Sequence, residues 1–275
     1  MTAPNTAEAR VRLHVEDTGG DGAVVVLIHG WPLSGASWQA QTTALQDAGY
    51  RVIAYDRRGF GQSDKPATGY DYDTLSDDLA DLLDSRDVRD ATLVGFSMGG
   101  GEVARYVARH GTARLAKVVF AAAIPPFMMK TADNPEGAMT PSAEADMEAG
   151  LKKDRAAFFD QFTRTFFSVD GELKVTEAQR QAAITLCHQS DPNAAVQCMH
   201  AFSETDFRDD LNKVDVPALI LHGDADVIVP LEHSGALTHA RIPGSELVLL
   251  NGAPHGCNVS HAQAFNDALL AFLKK

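Results

Sequence analysis

A serine framed by glycines, Gly95-Phe96-Ser97-Met98-Gly99, follows the apolar run "ATLV" and precedes a helical run. G-x-S-x-G between a strand and a helix is the setting in which a serine serves as a nucleophile. The turn is tight enough that side chains at 95 or 99 would strike neighbouring backbone, hence glycine at both. Ser97 is thereby lifted above the sheet, with the positive end of the following helix directed at it. A glycine-rich turn that merely lets a helix pack closely is the competing reading, and the strand–turn–helix context disfavours it.

An unassisted serine is a poor nucleophile, so a base and an acid that orients it must follow, in the order serine, acid, histidine. "GAPHGCN" after the last apolar run places His255 in a loop where that base belongs. "DADVIVP" after the preceding run offers two acids, Asp224 and Asp226. Asp224 sits directly after Gly223, where a carboxylate caps a turn. Asp226 lies deeper in the loop and is better placed to accept a hydrogen bond from an imidazole, which favours it. His29, His222 and His261 read as structural. Developing negative charge needs two backbone donors. Met98 N–H is one, and Trp31 N–H, in the "HGWP" loop, is the candidate for the second. Pro32 restricts Trp31 and fixes where its amide points.

These residues must be positioned by the elements around them. "AVVVLIH" (23–29), "RVIAYD" (51–56), "ATLVG" (91–95), "KVVFAAA" (117–123), "PALILHG" (217–223) and "ELVLLN" (246–251) read as strands. Most are continuously apolar, as strands covered on both faces are. Helices are expected near 37–48, 73–86, 98–110, 233–241 and 261–273. "RVRLHVEDTG" alternates and ends in glycine, which suits an antiparallel edge strand or hairpin. The alternation predicts an α/β fold with a doubly wound, mostly parallel sheet. It breaks between Pro125 and Val214, a stretch too long to be an ordinary loop. The expected organisation is a core of 1–124 and 215–275 with a helical cap, 125–214, over the carboxyl edge of the sheet.

Composition narrows the function classes. The formal net charge is −13, from 37 acidic and 24 basic residues. No Lys/Arg stripe is visible, so nucleic acid and anionic membrane are not expected partners. Cys187, Cys198 and Cys257 are too few and scattered for a disulfide framework or zinc cluster. The start "MTAPNTAEAR" has neither a basic nor an apolar leader region, and no run is long enough to span a bilayer. A soluble cytoplasmic protein is expected. A redox peroxidase would need haem, a metal or a redox cysteine, and no ligand cluster is evident. No metal or cofactor is expected.

With these residues in hand, the chain resembles the α/β-hydrolases. Within that superfamily it is similar to the cofactor-free haloperoxidases, also called perhydrolases and aryl esterases. "LIHGWPLSGASW", "YDRRGFGQSDKP", "GFSMGGGEVARY", "FSETDFRDDL", "HGDADVIVP" and "APHG" carry the likeness nearly end to end. The resemblance implies an eight-stranded-type sheet, Asp226 as the triad acid through G-x-x-D in "GDAD", and oxyanion donors at Trp31 and Met98. It implies a serine hydrolase acting on small carboxylic esters through an acyl-enzyme. Hydrogen peroxide in place of water would give a peracid that oxidises halide. It also implies an acyl pocket from Trp31, Phe96, Ile124, Met128, Phe162, Phe166, Phe202 and Ile228. Phe162 and Phe166, at i and i+4, would equally suit a cap core. Pro32 resembles the perhydrolase members, with the Trp31 carbonyl as an acceptor for bound peroxide. A small cyclic amide (γ-lactam) is the alternative substrate class, and a catalytically silent small-molecule receptor a remote one. Relatives of this kind imply a homo-oligomer, trimeric or larger.

Overall fold

The computed structural model describes residues 11–275. Residues 1–10, on which the reading of the N-terminal segment rests, lie outside the described residues.

The chain runs β1 (Val15–Asp17), β2 (Val24–Ile28), α1 (Gln39–Asp47), β3 (Arg51–Tyr55), α2 (Tyr72–Ser85), β4 (Ala91–Phe96), α3 (Met98–His110) and β5 (Leu115–Ala121). Next come α4 (Pro141–Lys153), α5 (Arg155–Phe167), a short hairpin of β6 (Ser168–Val169) and β7 (Glu172–Leu173), α6 (Glu177–Gln189), α7 (Pro192–Glu204) and α8 (Arg208–Leu211). The chain then returns to β8 (Ala218–Gly223), α9 (Gly235–Arg241), β9 (Glu246–Leu250), α10 (Cys257–Ser260) and α11 (Ala262–Leu273).

The main sheet has the order β1-β3-β2-β4-β5-β8-β9, with only β1 antiparallel. The interior strands β4 and β8 are buried at every position, because helices cover both faces. β2 lies at the centre of the winding: the chain turns to one side for β3 and to the other for β4. The crevice outside the carboxyl ends at such a switch point is where open α/β sheets bind ligands.

Seven strands form this sheet among the described residues, not the eight of the family type. The opening stretch supplies only β1. Residues 12–14 ahead of it bond to the loop after β3 instead of to another strand: Asp56 N–H donates to His14 O at 2.9 Å and Asp64 N–H to Arg12 O at 3.1 Å. The expected helices appear within two residues of their predicted ends. The stretch between β5 and β8 holds α4 to α8. "AEADMEAGLKKDRAAFFDQFTRTFF" forms two helices, separated at Asp154, whose carboxylate caps α5 by accepting from Ala157 N–H at 3.0 Å. No helix among the described residues is long and apolar enough to cross a membrane.

Candidate active site

Ser97 stands between β4 and α3 with φ +54° and ψ −119°, a backbone conformation that a non-glycine residue holds only when its surroundings enforce it. Three observations show the enforcement. Ser97 N–H donates to Ala121 O at 2.9 Å, at the end of β5. A Cβ at Gly95 would lie 2.4 Å from Gly99 O, and one at Gly99 would lie 2.4 Å from Ile28 O. The two glycines are therefore the condition for α3 to leave the sheet directly under β2, which aims the Ser97 hydroxyl upward.

The carboxyl ends of β8 and β9 bring the remaining groups. His255 Nε2 is 3.0 Å from Ser97 Oγ, and His255 Nδ1 is 2.7 Å from Asp226 Oδ2. All three side chains are nearly sealed from solvent. With Nδ1–H donated to Asp226, Nε2 keeps a lone pair for the Ser97 proton. Asp226 Oδ1 accepts from Ile228 N–H and Val229 N–H, both at 2.9 Å. Burial opposes ionisation of Asp226. The His255 charge, then hydrogen bonding from His222 and His255, outweigh it and hold the carboxyl well below the ordinary carboxylate range. The acid and histidine loops can approach because Gly223 has no side chain: a Cβ there would lie 2.2 Å from Ala253 O.

Asp224 has the other fate weighed for it. It is exposed and accepts from Gly252 N–H at 2.6 Å, which is turn capping. His29, His222 and His261 all lie outside the hydrogen-bonded series. His222 is nonetheless adjacent to it: Nε2 is 2.8 Å from Val229 O and 3.5 Å from Asp226 Oδ2. Val229 in turn donates to Asp226, so His222 braces the loop that holds the acid. The sequence signal was its place at i−4 from Asp226.

The loop after β2 lies against the serine, since a Cβ at Gly30 would be 3.0 Å from Ser97 Cβ. Its footing is a sealed polar network. Arg57 pairs with Glu102, Tyr55 Oη donates to Glu102 at 2.7 Å, and Arg57 donates to His29 O at 2.6 Å. Above it, Trp31 Nε1–H donates to Ala195 O on α7 at 2.9 Å, and the indole meets Phe158, Phe162 and Phe202 edge-on. The Trp31–Pro32 peptide is cis. Met98, as first residue of α3, has an amide with no intrahelical acceptor.

Ser97 and His255 open into a cavity of about 280 Å³. Of the anticipated acyl-pocket residues, Trp31, Ile124, Met128, Phe162, Phe202 and Ile228 line it. Phe96 and Phe166 do not. Both are buried and pack against the imidazole, with ring centroids 5.2 and 5.0 Å from that of His255 and 6.1 Å from each other. The four-residue step from Phe162 turns Phe166 about 40° further round α5, onto the buried side with Phe159 and Thr163. Met139, Met147, Phe158, Gln161, Thr165 and Val229 complete the lining and were not anticipated. Phe158, Gln161, Phe162 and Thr165 stand at i, i+3, i+4 and i+7 on α5, a helical stripe visible in the sequence.

The three cysteines are free and buried. Burial pushes the Cys187 and Cys198 thiols up to about 12 and raises that of Cys257, so none is a ready nucleophile. Folding also gathers one group the sequence reading did not see. Ligand atoms of Glu144, His200 and Glu204 lie within 4.8 Å of one another, but none of these residues lines the cavity. His200 is engaged by Glu144 and Glu148 at 3.2 and 3.3 Å.

The alpha/beta hydrolase fold family matches residues 23–262 of the chain. The chain belongs to the α/β-hydrolases. This hydrolase is 45% identical over 259 residues to the non-heme chloroperoxidase of Kitasatospora aureofaciens, covering 93% of this chain and 94% of that one. It is 38% identical over 262 residues to a bifunctional esterase/perhydrolase of Acinetobacter calcoaceticus, with 92% of each covered. The crystal structure of bromoperoxidase from Bacillus anthracis superimposes with a TM-score of 0.95 at 51% identity, over 98% of this chain and 97% of that one.

Proposed function

We propose that this hydrolase cleaves small carboxylic esters through an acyl-enzyme on Ser97, and with hydrogen peroxide converts carboxylic acids to peracids. The observation that carries the reading is the hydrogen-bonded series Ser97–His255–Asp226 at the floor of a small apolar cavity. The esterase/perhydrolase and haloperoxidase relatives support it and favour ester and peracid chemistry over the lactam alternative.

In this mechanism Ser97 Oγ attacks the carbonyl carbon while His255 Nε2 takes the hydroxyl proton. Asp226 keeps the imidazole in the required tautomer and stabilises the imidazolium that forms. The amides of Met98 and Trp31 receive the charge that develops on the carbonyl oxygen. His255 returns its proton to the leaving alcohol, or to the leaving hydroxide when the substrate is a free acid. Water then attacks the acyl group to give acid, or hydrogen peroxide attacks to give RCO₃H, and Ser97 is regenerated. The peracid accounts for halide oxidation by serine chemistry. The Trp31 carbonyl is the proposed acceptor for bound peroxide, and Pro32→Leu is expected to lower the ratio of peracid to acid formed.

Residues 125–214 serve as the cap in this proposal. Support comes from α4 to α8 falling within that span and from the Trp31 bond to Ala195. The three free thiols accord with a reducing cytoplasmic setting. A homo-oligomer is supported by the outer edge of β9, where Leu249 is exposed; a monomer mass by light scattering would remove it.

The test compares p-nitrophenyl acetate hydrolysis and acetate-dependent peracid formation in wild type and Ser97→Ala. Joint loss of both, by roughly 10⁴-fold or more, is expected for one acyl-enzyme route. Peroxide-dependent halogenation surviving in the alanine variant would overturn the reading.

A further inference from the structure

Three of the chain's seven methionines, Met128, Met139 and Met147, line the one cavity that holds Ser97. They reach it from two elements. Met128 follows β5, and Met139 is fastened to the same stretch: Met139 N–H donates to Met128 O at 2.9 Å and Lys130 N–H to Met139 O at 2.6 Å. Met147 comes from α4. Leucine would fill comparable apolar volume. What methionine adds is a polarizable thioether, which an electrophilic oxidant attacks. Met98 and Met199 are fully buried and line no part of the cavity.

Resting on the perhydrolase reading above, we propose that Met128, Met139 and Met147 are oxidised by the peracid formed at Ser97, and that this oxidation limits the active lifetime during peracid synthesis. The reacting class is a small aliphatic peroxycarboxylic acid. At Ser97, RCO₂H and H₂O₂ give RCO₃H and H₂O. A methionine sulfur then donates an electron pair to the terminal peroxy oxygen, the O–O bond breaks, and the proton passes to the departing carboxylate. The products are RCO₂H and methionine sulfoxide, with sulfur oxidised by two electrons and the peroxy group reduced by two. The acid is regenerated, so continued supply of hydrogen peroxide oxidises all three thioethers. Each sulfoxide places a strong dipole in a wall built mostly from aromatic and aliphatic groups, which weakens acyl binding.

The test incubates wild type and Ser97→Ala with acetate and hydrogen peroxide and reads sulfoxide by peptide mass spectrometry, with bromide oxidation followed in parallel to report free peracid. The expected result is at least roughly tenfold more sulfoxide at the three cavity methionines in wild type than in Ser97→Ala, a small part of what confinement beside the source can supply. Met98 and Met199 stay unmodified. The variant M128L/M139L/M147L, measured against its own initial rate, retains activity longer during peracid synthesis. Equal sulfoxide in wild type and Ser97→Ala, sulfoxide spread equally to Met98 and Met199, or an unchanged lifetime in the leucine variant would overturn the inference while bromide oxidation still proceeds. Absence of bromide oxidation in wild type would instead remove the perhydrolase reading, and this inference with it.

Discussion

The carboxyl edge of the sheet and the helical wall facing it are built on different principles. At the sheet edge, geometry is fixed by backbone. Ser97 holds a left-handed φ, Gly95, Gly99 and Gly223 remove side chains where main chains nearly touch, and Asp226 is gripped by two amides. The wall is fixed by side chains: Phe158, Gln161, Phe162 and Thr165 form one stripe of α5, while Phe159, Thr163 and Phe166 on the next stripe are buried. A backbone-defined site tolerates almost no change, because no rotamer relieves a clash with a carbonyl. A wall of side chains can be recut one residue at a time. Under the proposed function, chemistry belongs to the first region and substrate range to the second.

The sharpest way to break that contrast is at Asp226. Asp226→Asn preserves shape but offers an amide donor or a weaker acceptor to His255 Nδ1, which unsettles the tautomer that Ser97 needs. The expected loss in kcat is about 10³–10⁴-fold, by analogy with the serine-protease triad. Ester hydrolysis and peracid formation should fall together, measured as kcat at constant pH. If they separate, the two reactions do not share one imidazole. Gly99→Ala comes next. Its Cβ would lie 2.4 Å from Ile28 O, a contact between a carbon that no rotamer can move and a backbone carbonyl, so β2 and α3 must part. A destabilisation of about 2–4 kcal/mol in urea unfolding is expected, together with loss of activity. A stable, active alanine variant would show that the elbow has slack.

Legibility followed the same division. That Ser97, His255 and Asp226, rather than Asp224, would be brought together was readable because each is tied to a strand end, and strands announce themselves as short apolar runs. The two glycines of the elbow were readable for the same reason. Phe166 was misplaced because i and i+4 do share a helix face, yet the rotation of about 40° between them is enough to turn its ring off the cavity wall and onto the imidazole. Met139 and Met147 could not be seen at all. Their approach to Ser97 depends on how the 125–139 segment folds back and how α4 crosses, which no local periodicity encodes. His222 was read as structural; its place beside the acid, 2.8 Å from Val229 O and 3.5 Å from Asp226 Oδ2, depends on how the turn between them folds back.

Phe162→Ala sharpens the comparison from the side of the wall. Phe162 is half-buried and meets Trp31, Phe158 and Phe166, so removing the ring enlarges the cavity without touching the triad. The preference for hexanoate over acetate p-nitrophenyl esters, as a ratio of kcat/KM, should rise by roughly tenfold, since each added methylene contributes about 0.8 kcal/mol where space admits it. Stability should fall by only about 1–2 kcal/mol because the ring is incompletely buried. An unchanged chain-length profile would place the acyl group elsewhere.

The smallest expected effect lies beneath the sheet edge, at His29. Burial first, and then the Arg57 charge, hold this imidazole well below its ordinary pKa of 6.5. Its hydrogen bonds agree: Nδ1 is 2.9 Å from Gly30 O, and Nε2 accepts from Arg57 N–H at 3.0 Å, leaving no site for a second proton. The unfolded chain takes up that proton as pH falls below 6.5, while the folded chain does not. Stability from this group is therefore complete above pH 6.5 and declines below it, by up to about 1.4 kcal/mol per pH unit. His29→Gln can keep an acceptor for the Arg57 amide but binds no proton. Its unfolding free energy should fall less steeply than that of wild type between pH 6.5 and 5, by close to one proton's slope. Parallel slopes would mean that the loop carrying Trp31 admits water to His29, and that the sheet edge is less rigid than its backbone contacts require.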